Sequence, residues 1–112
     1  MKISMNLQKE PFEMIKNGNK IYELRLFDEK RKKIKVGDEI EFYCEVLKQK
    51  ISVEVIDILI FKSFAELYAS ISPLEIGYTD KTCKTASPND MLAYYTRQEE
   101  MKFGVVAIKI RV

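Results

Sequence analysis

The chain has 112 residues, of which 46% are hydrophobic, and its 19 basic and 17 acidic side chains leave a net charge of +2. That is enough for one domain with one core, too apolar for a disordered segment, and too nearly neutral to imply a polyanion partner from charge alone. There is no histidine, which excludes a Ser-His-Asp triad, a histidine zinc site and the usual general base near neutral pH.

Acid-base chemistry would therefore fall to Lys, Glu, Asp or Tyr. Cys44 and Cys83 have no metal-like spacing and read as separate thiols rather than a disulfide; no metal and no cofactor are expected. No apolar run approaches the roughly 18 residues of a membrane span. The polar start, Met1 to Asn6, is unlike a signal peptide, so a cytoplasmic protein is expected.

Ile3 to Leu7 alternates like a first strand. Lys9 to Asn17 follows as a short amphipathic helix, with Phe12, Ile15 and Met14 toward one face. Asn17-Gly18 is a helix stop, because glycine takes the left-handed conformation at little cost. Lys20 to Phe27 reads as a second strand. Asp28-Glu29 opens a turn of helix through Lys30-Arg31-Lys32-Lys33-Ile34-Lys35, which holds five cations in six residues. After the turn at Val36-Gly37-Asp38, Glu39 to Val46 and Ile51 to Phe61 read as a hairpin joined by a short polar loop. Ile51, Val53, Val55, Ile58 and Ile60 are its inward candidates, with Ile40 and Phe42 opposite.

Ser63 and Glu66 form a capping-box pattern for a helix to about Ser70. Leu74 to Thr85 is the least patterned segment, and loops often carry function. There Tyr78, Thr79 and Lys81 either border a cleft, with Tyr78 stacking on a base, or only pack the loop. Ser87-Pro88-Asn89-Asp90 predicts another helix start, with Met91, Leu92 and Tyr95 toward the core. Thr96 to Glu99 repeats the signal. Val105 to Val112 is the last strand, with Val106, Ile108 and Ile110 inward. Strands grouped at both ends with helices between them indicate an α+β or barrel architecture.

The densest chemistry lies in Gly18-Asn19-Lys20-Ile21-Tyr22-Glu23-Leu24-Arg25. Side chains alternate along a strand, so Glu23 and Arg25 share one face and Tyr22, Leu24 and Leu26 the other. The apolar set reads as core; the charged pair then points to water or a cleft. Lys20 has the wrong parity to join that pair unless the backbone is still turning there. The plain alternative is an exposed ion pair worth at most about 1 kcal/mol, with Lys20 a solvated loop residue. For the basic tract the alternatives are phosphate contacts with salt-dependent binding and a solvated turn that keeps a sheet edge soluble.

Gly-x-Lys-x-x-Glu-x-Arg after a short helix and before a strand resembles the signature of the ASCH domain family, filled here by Gly18, Lys20, Glu23 and Arg25. Ile34 to Phe42 is similar to the family's Gly-Asp entry into the next strand. Tyr94-Tyr95 and Phe103 to Ile108 resemble its closing helix and last strand. The resemblance spans nearly the whole chain. It implies an α+β fold of PUA-like type: a partly open β-barrel of about five to six mostly antiparallel strands with flanking helices. It also implies a cleft lined by the lysine, glutamate and arginine of the motif. Some family members bind or cut nucleic acid. Some small bacterial ones are amidohydrolases acting on an acylated cytidine, and those carry a threonine where this chain has Glu23.

Three functions follow. In the first, the favoured one, the cleft binds RNA, a nucleotide or a modified nucleoside. Arg25 takes a phosphate or base edge, Lys20 pairs with phosphate, Glu23 accepts from an amine, and Tyr78 and Tyr95 line the ligand. Lys30, Arg31, Lys32, Lys33 and Lys35 are then outer phosphate contacts. In the second, the same cleft is a small hydrolase in which Lys20 and Glu23 are the catalytic pair, acting on an acylated nucleoside or on RNA. In the third, the motif only stabilises a protein-interaction domain.

Overall fold

Five strands form a single sheet in the computed structural model, which describes residues 2–112. In chain order the elements are β1 (Lys2–Asn6), α1 (Lys9–Lys16), β2 (Tyr22–Leu26), α2 (Glu29–Lys32), β3 (Glu39–Cys44), β4 (Gln49–Phe61), α3 (Phe64–Ser70), α4 (Arg97–Phe103) and β5 (Val105–Arg111). Three short 3-10 turns, Pro73–Glu75, Cys83–Thr85 and Pro88–Ala93, lie between α3 and α4. The strand order is β1-β3-β4-β5-β2. β1 pairs with β3 in parallel, and the other three pairings are antiparallel. β3 and β4 are the hairpin that their sequence predicts.

The sheet curls into a partly open barrel. β1 and β2 stand at opposite ends of the strand order, yet Arg25 of β2 donates a hydrogen bond to the Asn6 carbonyl of β1. Twist accumulated across the strands brings the two edges together at this seam.

Two apolar clusters fill the sheet's two faces. One gathers Phe42, Val55, Val106 and Ile108 and is capped by Phe12 and Ile15 of α1. The other places Tyr22, Leu24, Leu26 and Ala107 beneath Phe64 and Leu67 of α3. β5 is central between β4 and β2, so Val105 and Ala107 are buried as fully as Val106 and Ile108. The sequence assigned only its even-numbered residues to the core; a strand covered on both faces has no polar side.

A register shift between Val55 and Asp57 explains the pattern of β4. One extra residue reverses the parity of every side chain beyond it. Thus Ile51, Val53 and Val55 share the first cluster with Ile58, while Leu59 and Phe61 join the second. Ile60, expected inward, is 57% exposed, because the strand has there run past the first cluster.

Caps follow the sequence closely. Ser63 accepts from the Glu66 amide, although the Glu66 carboxylate turns to the Lys62 amide instead of closing the box. Both halves of the box form at Ser87 with Asp90 and at Thr96 with Glu99. The segment after Ser87 is a 3-10 turn rather than an α-helix. Its tighter winding rotates Leu92 outward, to 44% exposure, against the expectation that it faces the core. Cys44 and Cys83 are free thiols. Among the described residues no helix is long and apolar enough to cross a membrane.

Candidate functional site

The motif folds into a three-membered ion network at the barrel seam. α1 ends where Gly18 takes φ +79°. The Met14 carbonyl then accepts from both the Asn19 and Lys20 amides, at 2.9 and 3.0 Å. The chain is therefore still turning at Lys20, and β2 begins only at Tyr22. That turn resolves the parity problem: Lys20 Nζ swings back and donates to Glu23 Oε1 at 2.8 Å. Arg25 approaches the other carboxylate oxygen, with Nε at 3.0 Å and Nη2 at 2.8 Å from Glu23 Oε2. The same Nη2 donates at 3.1 Å to the Asn6 carbonyl.

Glu23 and Arg25 sit directly across from Ile108 and Val106, both members of the first apolar cluster. Directly opposed residues share a face, so the charged pair points into the barrel mouth and not to open water. Glu23 is only 3% exposed. The expectation of an exposed surface ion pair is thereby corrected: the strand's second face became interior when the sheet curled.

Burial by itself would push the Glu23 carboxyl up. The charges of Lys20 and Arg25, with their hydrogen bonds, outweigh it and hold Glu23 below the ordinary carboxylate range. Tyr95 closes the arrangement. Its ring lies stacked toward Phe64, with centroids 6.0 Å apart at 17°, and it lies within electrostatic reach of Arg25. Burial raises the Tyr95 phenol above its ordinary value, although the Arg25 and Arg31 guanidiniums pull the other way. At neutral pH it is therefore an uncharged hydroxyl. Tyr95 also lines a crevice of about 90 Å³ with Phe64, Met91 and Thr96.

The basic tract divides. Lys30, Lys32, Lys33 and Lys35 are exposed, but Arg31 is not. Arg31 folds back onto the α2 N-cap, where its Nη1 donates to Asp28 Oδ2 at 2.9 Å. Lys32 pairs loosely with Glu29, at 3.3 Å. Tyr78 packs edge-on against Tyr68. Its hydroxyl meets the Tyr68 hydroxyl at 2.9 Å and donates to Asp90 Oδ2 at 2.7 Å, and burial pushes its phenol well above the ordinary range. The preceding Gly77 has φ +113°, and a Cβ there would stand 3.4 Å from Lys20 Cδ. The Tyr78 loop thus lies against the Lys20 stem, while the Tyr78 hydroxyl is committed to its own neighbours.

The roles of Asn6 and Gly77, and the pairing of Arg31 with Asp28, were not singled out by the sequence. The Asn6 carbonyl carried no sequence signal, since it depends on strand closure. Gly77 carried only a turn signal. Asp28 and Arg31 carried a usable one, the i,i+3 spacing of an N-cap acid and a base, hidden among the lysines.

Compared with protein families, the chain matches the ASCH domain model over residues 5–112. Among solved structures it is similar to a crystal structure of hypothetical protein PH0355, with TM-score 0.84 and 39% identity over 99% of this chain and 98% of that one. It is also similar to the solution NMR structure of protein PF0455 from Pyrococcus furiosus, with TM-score 0.73 and 35% identity over 99% of this chain and 96% of that one. No curated protein matches it.

Proposed function

The chain belongs to the ASCH domain family, and from that premise we propose that it binds RNA or a nucleotide at the seam network. The observation that carries the reading is the burial of Lys20, Glu23 and Arg25 together, with side chains 10%, 4% and 16% exposed. Buried ion networks are a poor way to gain stability, because desolvation consumes most of the attraction. Desolvated charges gathered at the mouth of a fold are candidates for a working site. Here the trio keeps one net positive charge. An ammonium has three donors, and that of Lys20 gives one to Glu23, leaving donors for a phosphate or a base edge. Tyr95 supplies an aromatic face and a hydroxyl beside Arg25. The exposed Lys30, Lys32, Lys33 and Lys35 give outer contacts to a longer strand.

Hydrolysis on the same residues is less well served. Both Glu23 oxygens already accept from cations. A carboxylate held ionised by two neighbours is a weak base for activating water, and Lys20 would have to leave its partner to act.

A thermal-shift screen against nucleosides, nucleotides and short RNAs, at two salt concentrations, tests the reading. Stabilisation by a nucleotide or RNA is expected, lost in Arg25→Lys, which keeps the charge but not the planar fork. Absence of any shift across the set, or equal shifts in wild type, Arg25→Lys and Lys20→Ala, would remove the seam from consideration.

A further inference from the structure

Arg31 differs from every other cation of its tract. Its side chain is 16% exposed, against 47% for neighbouring Lys32. Asp28 holds it twice: Oδ1 accepts from the Arg31 amide at 3.1 Å and Oδ2 from Arg31 Nη1 at 2.9 Å. Because Asp28 is itself fixed as the N-cap of α2, the guanidinium is oriented before any ligand arrives. Its Nε, however, is buried and has no hydrogen-bond partner. Buried donors are nearly always satisfied, and one that is not calls for an explanation.

The chemistry of the guanidinium supplies one. Nη1 lies on the flank of Cδ, and Asp28 occupies it. Nε and Nη2 form the opposite, side-on fork, the edge that receives carboxylates and phosphates with two parallel hydrogen bonds. Arg31 is thus held by one flank with its oxyanion-binding edge unmatched. The local charge agrees: Lys20, Arg25 and Arg31 are three cations against two carboxylates, Glu23 and Asp28. Only Phe27 and Asp28 separate β2 from α2, so the Asp28 that aligns Arg31 follows directly on the motif strand, and Tyr95, within electrostatic reach of both arginines, agrees with that placement.

We propose that Arg31, aligned by Asp28, is a phosphoryl anchor beside the Lys20–Glu23–Arg25 network, taking a phosphate oxygen pair on its Nε edge. The ligand class is then a phosphorylated nucleoside or an RNA phosphate rather than a bare nucleoside. Inorganic phosphate has the same chemistry and would bind the same edge. The proposal rests on the nucleotide reading only for the source of the phosphate.

Arginine Nε–H signals in proton–nitrogen NMR spectra report directly on this edge, with Arg31 assigned through bonds in the wild-type protein. Inorganic phosphate, the four nucleoside 5′-monophosphates and their parent nucleosides would each be titrated. The expected result is a saturable downfield shift of the Arg31 Nε–H with phosphate and with monophosphates but not with nucleosides. Monophosphates should bind about tenfold more tightly than nucleosides, an advantage the size of one charge-assisted hydrogen bond. Arg31→Lys should erase that advantage, whereas replacing the exposed Lys50 of β4, Lys50→Ala, should leave it within about twofold. A shift with inorganic phosphate but no nucleotide binding tighter than phosphate would uphold the anchor and defeat the nucleotide reading. Nucleotide binding that leaves the Arg31 signal in place and survives Arg31→Lys would overturn the anchor and leave that reading standing. An Arg31 signal unmoved by every titrant would also overturn it.

Discussion

The seam network and the lysines of the α2 tract are built from the same kinds of side chain and behave oppositely. At the seam, Lys20 and Arg25 are each within 3.0 Å of Glu23, and all three are withdrawn from solvent. Around α2, Lys30, Lys32, Lys33 and Lys35 stand in water, and the closest ion pair that any of these four lysines makes is Lys32 with Glu29 at 3.3 Å. Desolvated charges interact strongly and hold fixed directions, so they can discriminate among ligands. Solvated ones are screened within about 10 Å and supply attraction without choice. Charge count alone therefore says little about a cation's role; its dielectric surroundings decide. Arg31 makes the point within a single turn, since it sits between exposed lysines yet belongs with the buried set.

The comparison breaks most visibly at Glu23. Glu23→Ala would leave Lys20 and Arg25 facing each other in a buried seam with no counter-charge. Removing one partner of a buried pair costs about 3–5 kcal/mol, to be read as a shift in the urea unfolding midpoint at neutral pH. A loss below about 1 kcal/mol would mean that water reaches the seam and that the contrast with α2 is false.

Acid titration sharpens the same contrast. Glu23 binds its proton less readily in the folded chain than in the unfolded one, because its folded value lies below the ordinary 4.5. As pH falls, the unfolded chain takes up the proton first, and folding loses the contribution of the ion network. That contribution is complete above the unfolded value and disappears as pH passes down through the folded one. Wild-type stability should therefore drop more steeply below about pH 5 than that of Glu23→Gln, which has no carboxyl to titrate there. Parallel acid profiles for the two proteins would contradict the depressed Glu23 value.

The smallest stability effect is expected at α2. Replacing Lys30, Lys32, Lys33 and Lys35 together by alanine should change folding free energy by only about 0.5 kcal/mol. Binding of single-stranded RNA should respond instead, its logarithmic salt dependence flattening by about 0.7 for each lysine that contacts a phosphate. An unchanged salt slope would exclude the tract from the interface.

Much of this was legible in the residues. Phe12, Ile15 and the Gly18 stop define α1; Ile40 and Phe42 against Val53 define the hairpin; Ser87 and Thr96 announce their caps. Those features depend on neighbours a few residues away, where periodicity and backbone preference dominate. Leu92 was misread because an α-helix and a 3-10 turn begin with the same cap and diverge only in winding. Ile60 was misread because parity puts it on the face of Ile58 but does not tell where the packing over that face ends.

The site shows the same division on a larger scale. Sequence by itself determined which groups share a strand face: Glu23 with Arg25, opposite Tyr22, Leu24 and Leu26. It also marked Lys20 as able to join them only through a turn. Tertiary structure alone decided that this face is interior, because only the curled sheet brings β2 to the Asn6 carbonyl of β1. It likewise decided that Arg31 turns inward while Lys30, Lys32 and Lys33 do not. Parity is a property of the local backbone, whereas burial depends on where distant strands lie. The chemistry of these charges depends on burial, since the energy of a charge depends on the medium that surrounds it.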